Sequence, residues 1–199
     1  RVSFTGDLGW ELYVPQEQQL ALYDLLLQHG ADLGIRPVGA RSLLSLRVEK
    51  GYGSWSREYS PEYWPHEVGL ERLIKLDKPE FLGREAWVKL RETAPREKLV
   101  VFSVETETAD AVGGEPIFTP DGEPVGRVSS GAYGHSVGQS VALGFVKTAY
   151  AEAGAPFDIA ILGRPEVGHR RGDGRPVRGK SGRYALRTTR RLPGCLWRR

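Results

Sequence analysis

Glu11 is the side chain of this sequence whose type and setting best suit binding chemistry. It stands between Trp10 and Leu12 in the stretch "FTGDLGWELYVP". An ionised carboxylate in an aromatic-lined pocket can accept two parallel N–H bonds from a flat heterocycle, and such bonds are stronger and more directional than neutral ones. An aminopyrimidinone such as a pterin offers that pair of donors. The alternative is that Glu11 is a solvated strand residue, which is the more frequent role of an acid in such a stretch.

Other catalytic patterns are missing from the sequence. The histidines, at positions 29, 66, 135 and 169, show neither HxH nor HxxxH spacing, so the sequence predicts no metal site. Cys195 is the single cysteine, which excludes an internal disulfide framework. No Gly-rich phosphate loop is present, and the run "SSGAYGHSVG" lacks the Gly-x-Ser-x-Gly spacing of a nucleophile elbow. We therefore predict no catalytic residue of the hydrolytic type in this chain.

The composition is that of a globular protein, with 40% hydrophobic and 27% charged residues in a chain of 199. No apolar run approaches the roughly 18 residues of a membrane span, so we expect no membrane partner. The sequence begins with Arg1 and contains no methionine. We therefore expect it to be an internal piece of a longer protein.

The positive charge of the chain is concentrated at its end. Residues 164–199 contain eleven arginines and Lys180 against two acids, a net charge of +10, whereas residues 1–163 carry 16 basic and 23 acidic side chains, a net charge of −7. Three explanations remain open for this tail: disorder of an Arg- and Gly-rich segment, a reading-frame artefact, or a segment that binds anionic surfaces. Nucleic acid is not the partner that we expect.

The first half of the chain reads as one strand followed by helices. Residues 1–14 alternate as in a strand, with Pro15 after it. Leu20, Tyr23 and the pair Leu26–Leu27 then recur at helical spacing, and Gly30 offers a helix end. A second helix is predicted over residues 38–48. This order of strand, helix and helix is typical of an α+β fold.

The second half is predominantly β. Residues 51–69 are dense in aromatic residues, glycine and proline and predict an ordered loop, and a short helix is expected after Gly83. Residues 93–95 mark a domain boundary. Beyond it, "KLVVFSVE", a hairpin around Pro120-Asp121-Gly122, "SVALGFVK" and "PFDIAIL" are short strands that predict a small antiparallel barrel.

The stretch that contains Glu11 also resembles a known family motif. "FTGDLGWELYVP" is similar to the "YTGEDGxE" signature of the glycine-cleavage T-protein, or aminomethyltransferase, family. "GAR…SLRVEKGY", "EVGL" and "FLGREA" follow in the order of that family's motifs, and "EKGYGSW" is most similar to the folate-binding half of sarcosine and dimethylglycine dehydrogenases. The resemblance covers residues 1–164 and leaves the tail outside it.

The resemblance implies roles for individual residues. Glu11 matches the glutamate that contacts the pterin ring of tetrahydrofolate, and Phe4 stands where the family usually has a tyrosine, so that ring stacking is kept and the hydroxyl is lost. Tyr52, three residues after Glu49, matches an aromatic residue of the folate pocket, which Trp55 would help to shape. Arg41 corresponds to the family arginine near "GAR", although its interval to Glu49 is longer than in T-proteins proper.

The resemblance also implies a fold and a reaction. The family forms a three-domain cloverleaf, of which this chain would supply residues 1–93 of a partial folate-binding domain, residues 94–163 of the C-terminal β-barrel, and the tail, residues 164–199. The family's catalytic aspartate lies upstream of the signature, so no catalytic residue is expected here. The implied function is transfer of a one-carbon unit from a small methylamine-derived donor to tetrahydrofolate.

Two further expectations follow from the resemblance. If the parent is a sarcosine or dimethylglycine dehydrogenase, FAD binds in a domain absent from this chain, and the remainder of the parent chain is a partner. The expected location is the cytoplasm, or the mitochondrial matrix in a eukaryote. The alternative to an enzyme is a non-enzymatic folate-binding or assembly module on the same scaffold, which Phe4 and the shifted Arg41 favour.

Overall fold

The computed structural model describes residues 4–106 and 109–170, which form a helical region followed by a β-barrel. The helical region contains α1 (Gln19–Gly30), α2 (Ala40–Glu49) and α3 (Arg84–Leu90). Short 3-10 helices occupy Gln16–Gln18, Ala31–Leu33, Glu71–Leu73 and Thr148–Tyr150. The barrel strands are β1 (Glu97–Glu105), β2 (Pro116–Phe118), β3 (Pro124–Gly134), β4 (Gln139–Lys147), β5 (Pro156–Ile161) and β6 (Arg164–Arg170). The predicted α+β class with an antiparallel barrel is confirmed.

The six strands close in the order β1-β4-β3-β2-β5-β6, and every neighbouring pair is antiparallel. The predicted turn at Pro120-Asp121-Gly122 joins β2 to β3. Gly122 has a φ of 85°, a conformation that glycine adopts without steric cost, and its N–H donates to the carbonyl of Thr119 at 2.8 Å. Inside the barrel, the rings of Phe102 and Phe157 meet edge to face, with their centroids 5.6 Å apart.

Strand β6 lies within residues 164–199, for which the sequence predicts a disordered or aberrant tail. Its backbone pairs with β5 from Pro156↔His169 to Ile161↔Arg164 and with β1 from Phe102↔Arg170 to Glu105↔Val167. Val167 is the single hydrophobic residue in this stretch of the sequence, so the composition gave little indication of a strand. The strand is specified instead by the two open edges that it pairs with. Residues 171–199, and with them the alternatives for the tail, lie outside the described residues.

The strand predicted over residues 1–14 is wrong. Its described part, residues 4–14, contains a single bridge residue, Gly9, and no strand. An alternating pattern forms a strand only where a neighbouring edge supplies hydrogen bonds, and the described strands are all engaged in the barrel. Trp10, Leu12 and Tyr13 are accordingly exposed.

The two predicted helices are confirmed as α1 and α2. The apolar face of α1, with Leu20, Tyr23 and Leu26, is exposed among the described residues. In contrast, the C-terminal half of α2 packs on β3 and β4 and buries Ser45, Arg47, Val48 and Glu49. Helix α2 is therefore the element that connects the helical region to the barrel. None of the helices in the described part of the chain has the length and apolar character that a membrane span requires.

Candidate functional site

Glu11 is exposed and takes part in one local hydrogen bond. Its carboxylate accepts from the hydroxyl of Tyr13, and this bond, together with the carboxylate charge, raises the pKa of Tyr13. A groove of about 490 Å³ runs beside this segment. It is lined by Trp10, Leu12, Tyr13, Val14, Gln19, Leu22, Tyr23 and Leu26. Glu11 does not itself line the groove, but its accessible carboxylate accepts from Tyr13, which does, so the carboxylate is connected to a groove with three aromatic side chains. A carboxylate beside aromatic rings suits a flat ring with N–H donors.

Phe4 lies against the end of α2. The guanidinium carbon of Arg47 is 6.0 Å from the centroid of the Phe4 ring, which is 37% exposed. Gly6 brings the same segment close to the helix, because a Cβ added there would lie 2.8 Å from Cδ of Lys50. With a φ of 83° Gly6 also adopts a conformation that other residues rarely take. The position of Phe4 is therefore set by the last turn of α2.

Tyr52 follows α2 and has both backbone groups bonded to Arg47. Its N–H donates to the carbonyl oxygen of Arg47 at 2.9 Å, and its own carbonyl accepts from Nη1 of Arg47 at 2.9 Å. Arg47 is 1% exposed, and Nη2 donates to Oγ of Ser130 at 2.6 Å. Nε has no hydrogen-bond partner among the described residues. Arg47 therefore connects Phe4, Tyr52 and strand β3.

Glu58 is the anionic partner of Arg47, with Oε2 lying 3.4 Å from Nη1. The same carboxylate accepts from the backbone N–H of Ser54 at 2.7 Å and from the hydroxyls of Ser129 and Ser130, both at 2.6 Å. Burial by itself raises the pKa of Glu58, but these hydrogen bonds outweigh burial and leave the pKa below its ordinary value. Burial lowers the pKa of Arg47, and Glu58 opposes that change. Glu58 is therefore ionised at neutral pH.

Arg41 and Trp55 do not join this group. Arg41 lies in the first turn of α2, is exposed, and forms no ion pair within the part of the chain that the structure describes. Trp55 is 85% exposed and forms an isolated bridge with Tyr59. Of the five residues predicted for the site, Phe4 and Tyr52 thus share a common partner, whereas Glu11, Arg41 and Trp55 lie apart from it.

A second buried carboxylate, Glu67, connects the aromatic-rich loop of residues 51–69 to the start of the barrel. Arg96 donates to it through Nε and Nη2, both at 2.9 Å, and through its backbone N–H at 3.0 Å. The N–H of Trp64 adds a bond of 2.8 Å. Burial opposes ionisation, but the hydrogen bonds from Arg96 and Trp64 prevail and lower the pKa of Glu67 to about 2. The Glu67 carbonyl also accepts from Leu99 in β1 at 2.7 Å.

Neither carboxylate was predicted from the sequence. Glu58 and Glu67 are the acids that become fully buried within residues 51–69, a stretch expected to be an ordered loop. The available signal was an acid in a segment dense in large aromatic residues, which must itself be covered. Their partners, Arg47 and Arg96, are 11 and 29 residues away in sequence, and no local pattern encodes those pairs.

Comparisons with known proteins find one family on both sides of the α3–β1 junction. The family profile described as "GCVT N-terminal domain" matches residues 1–78, and that described as "Glycine cleavage T-protein C-terminal barrel domain" matches residues 97–168. The second match includes most of β6. The order of the two matches agrees with the order of the helical region and the barrel.

Individual relatives are longer than this chain. Human mitochondrial dimethylglycine dehydrogenase is 35% identical over 165 residues, covering 82% of the chain and 19% of the relative. Mouse mitochondrial sarcosine dehydrogenase is 38% identical over 163 residues, covering 81% and 17%. Aminomethyltransferase of Halothermothrix orenii is 31% identical over 168 residues, covering 84% and 46%. The chain spans less than half the length of each of these relatives.

A solved structure has the same fold. The crystal structure of the glycine cleavage system aminomethyltransferase T from Bartonella henselae matches with a TM-score of 0.72 at 24% identity. The match covers 80% of this chain and 44% of the other. At this level of identity the likeness concerns the fold alone.

Proposed function

The chain belongs to the glycine-cleavage T-protein (aminomethyltransferase) family, and on that premise we propose that it binds tetrahydrofolate as part of an enzyme that transfers a one-carbon unit. The observation that carries the proposal is the accessible Glu11 carboxylate, which accepts from the hydroxyl of Tyr13 in the aromatic groove. Tetrahydrofolate supplies the acceptor for the one-carbon unit. The whole-protein activity is proposed for a longer parent, since the chain matches less than half of its relatives.

The Glu11 carboxylate would accept hydrogen bonds from the amino group of the pterin and from the adjacent N–H of the pterin ring. An ionised carboxylate accepts two such donors in parallel, and hydrogen bonds to charged groups contribute about 1.5 to 3 kcal/mol. The Tyr13 hydroxyl already donates to this carboxylate and so helps to fix its orientation. The chemistry of the residues present therefore fits the ligand.

From the family motif we propose that Phe4, Tyr52 and Trp55 form the walls around the ring and that Arg41 meets an anionic part of the ligand. None of the four lines the groove beside Glu11, so these roles rest on the motif and not on that groove. Phe4 offers a ring face for stacking, and Arg47 holds both Phe4 and Tyr52 near the end of α2. Trp55 offers a large exposed indole, and Arg41 an exposed guanidinium.

The parent that we propose is a sarcosine or dimethylglycine dehydrogenase. The support is the identity of 35 to 38% to dehydrogenases of both kinds over more than four-fifths of this chain. FAD would then bind in another domain of that parent, and a methylamine-derived one-carbon unit would reach tetrahydrofolate to give 5,10-methylenetetrahydrofolate. The cytoplasm or the mitochondrial matrix is the proposed location.

A non-enzymatic folate-binding or assembly module is the second candidate. The observations that favour it are Phe4, which lacks the hydroxyl of the usual tyrosine, and the exposed Arg41, which lies apart from Arg47 and its partners. The two candidates differ in product. A transferase forms 5,10-methylenetetrahydrofolate from sarcosine or dimethylglycine when the protein of the complete gene is assayed, whereas a binding module forms none.

Tetrahydrofolate binding tests the proposal directly. Isothermal titration of the chain with tetrahydrofolate should give saturable binding, and Glu11→Gln should weaken it by about tenfold or more, the equivalent of losing a hydrogen bond to a charged group. Glu17→Gln is the matched control, because Glu17 is also an exposed acid near α1 and has no proposed role. Absence of binding by the wild-type chain would refute the proposal, and equal binding by the Glu11 variant would remove Glu11 from the site.

A further inference from the structure

The guanidinium of Arg47 contacts both the barrel and two residues of the proposed ligand pocket. On one side it donates a hydrogen bond to the Tyr52 carbonyl and lies beside the Phe4 ring. On the other side it bonds Ser130 of β3 and pairs with Glu58. At 1% exposure, Arg47 cannot turn toward solvent without breaking these bonds.

The barrel fixes the orientation of Arg47 through an anchored acceptor. Glu58 accepts hydrogen bonds from the hydroxyls of both Ser129 and Ser130, so its carboxylate is held by consecutive residues of β3. The register of β3 against β4 shifts between Val128 and Ser130, and Oγ of Ser129 also lies 3.1 Å from the Leu143 carbonyl oxygen in β4. A strand irregularity of this kind re-aims side chains locally. Consecutive serines can therefore both reach Glu58.

The planar guanidinium then transmits that orientation. Its donors lie in one plane and at fixed angles, so a shift at Ser130 or Glu58 moves the donor that holds Tyr52. The same movement displaces the guanidinium cation, whose carbon lies 6.0 Å from the centroid of the Phe4 ring. The contacts on the two sides of Arg47 are thus mechanically linked.

We infer that Arg47 is a positioning residue through which strand β3 of the barrel sets the places of Phe4 and Tyr52. The consequence for ligand binding rests on the proposed function, whereas the positioning itself rests on the contacts above. The C-terminal barrel would then contribute to the shape of the proposed tetrahydrofolate pocket without contacting the ligand. Glu58 and Ser130 are the parts of the barrel side that transmit this effect.

A double-mutant cycle tests whether Arg47 acts through Phe4. Arg47→Lys keeps the charge but loses the fork, and it should weaken tetrahydrofolate binding by about tenfold, as expected for loss of charged hydrogen bonds. In a Phe4→Leu background the further loss should shrink to about threefold or less, because residues that act as a unit are not additive. Equal factors in the two backgrounds would overturn the inference.

The control is the Glu67–Arg96 pair, whose hydrogen bonds do not involve Phe4 or Tyr52. Arg96→Lys perturbs the bonds to Glu67 and leaves the described contacts of Phe4 and Tyr52 intact. Tetrahydrofolate affinity should change by less than about twofold in this variant, since interactions at separate sites are independent. A loss equal to that of Arg47→Lys would mean that general loosening explains both. Ser130→Ala, a smaller change with an expected loss of about threefold, provides the same test if Arg47→Lys does not fold.

Hydrogen exchange separates this inference from the proposed function. Arg47→Lys should speed amide exchange in residues 4–6 and 51–54, while the strands β1 and β4 keep their protection, because local opening depends on local contacts. If the wild-type chain binds no tetrahydrofolate but shows this pattern, the proposed function fails and the positioning role stands. Unchanged exchange in both segments, with or without ligand binding, would overturn the positioning role.

Discussion

The Glu67–Arg96 pair should make stability depend on pH in a defined window, which Glu67→Gln would remove. Glu67 has a pKa of about 2 in the folded protein, against 4.5 for an unperturbed glutamate. Because the folded pKa is the lower one, the contribution is fully present above about pH 4.5 and is lost as the pH falls toward 2.

The size of this contribution follows from the shift and from the solvent exposure of the partner. A shift from 4.5 to about 2 corresponds to about 3 kcal/mol at 1.36 kcal/mol for each pH unit. Since the Arg96 side chain is 56% exposed, solvent screens part of the interaction, and about 1.5 kcal/mol is a reasonable expectation.

Urea denaturation of the wild type and of Glu67→Gln between pH 2 and pH 7 measures the difference in unfolding free energy. We expect about 1.5 kcal/mol above pH 5, falling toward zero near pH 2. Glu71→Gln, a change at an exposed acid, should leave the free energy of unfolding within about 0.5 kcal/mol of the wild type at every pH. A difference for Glu67→Gln that stayed constant from pH 2 to pH 7 would refute the ionic explanation.

Two other perturbations test the barrel. Gly126→Ala would place a Cβ in steric overlap with the Phe145 carbonyl oxygen, so we expect a loss of at least about 2 kcal/mol in urea denaturation. A change below about 0.5 kcal/mol would show that β3 and β4 can separate easily. Removal of residues 164–199 deletes β6 and should lower the thermal midpoint by several degrees relative to removal of residues 171–199 alone. Equal midpoints for the two truncations would mean that β6 does not stabilise the barrel.

The periodic parts of the fold could be predicted from the sequence. Leu20, Tyr23 and Leu26 recur at helical spacing and lie in α1, and the strand-turn-strand pattern around Gly122 is the β2–β3 hairpin. These elements are encoded by residues close together in the chain, which is where pattern-based reasoning works. The barrel could be predicted because several such strands follow one another at short intervals in the sequence.

The features that depend on distant neighbours could not be predicted. Strand β6 has a charged, Pro- and Gly-containing sequence and forms because β1 and β5 offer edges for it to pair with. The segment around Glu11 alternates like a strand, but no described strand edge is available to it. A local pattern specifies a strand only in combination with its partner.

The site was predicted through the family motif more than through physics. The motif singled out Phe4, Glu11 and Tyr52, while the buried group that joins two of them, Arg47 with Glu58, gave no local signal. A buried ion pair needs two residues that fold together from separate segments, and one sequence does not show which they are. All five site residues remain predictions, and of these Arg41 and Trp55 are exposed.

The proposed bond between Glu11 and the pterin ring of tetrahydrofolate can be measured with the ring alone. Calorimetric titration of the wild type and Glu11→Gln with a tetrahydropterin that lacks the aminobenzoyl-glutamate tail isolates that contact. We expect the ring to bind the variant about tenfold more weakly than the wild type, the same factor as for tetrahydrofolate itself. Equal binding of the ring to both proteins would contradict this expectation and return Glu11 to an ordinary exposed acid.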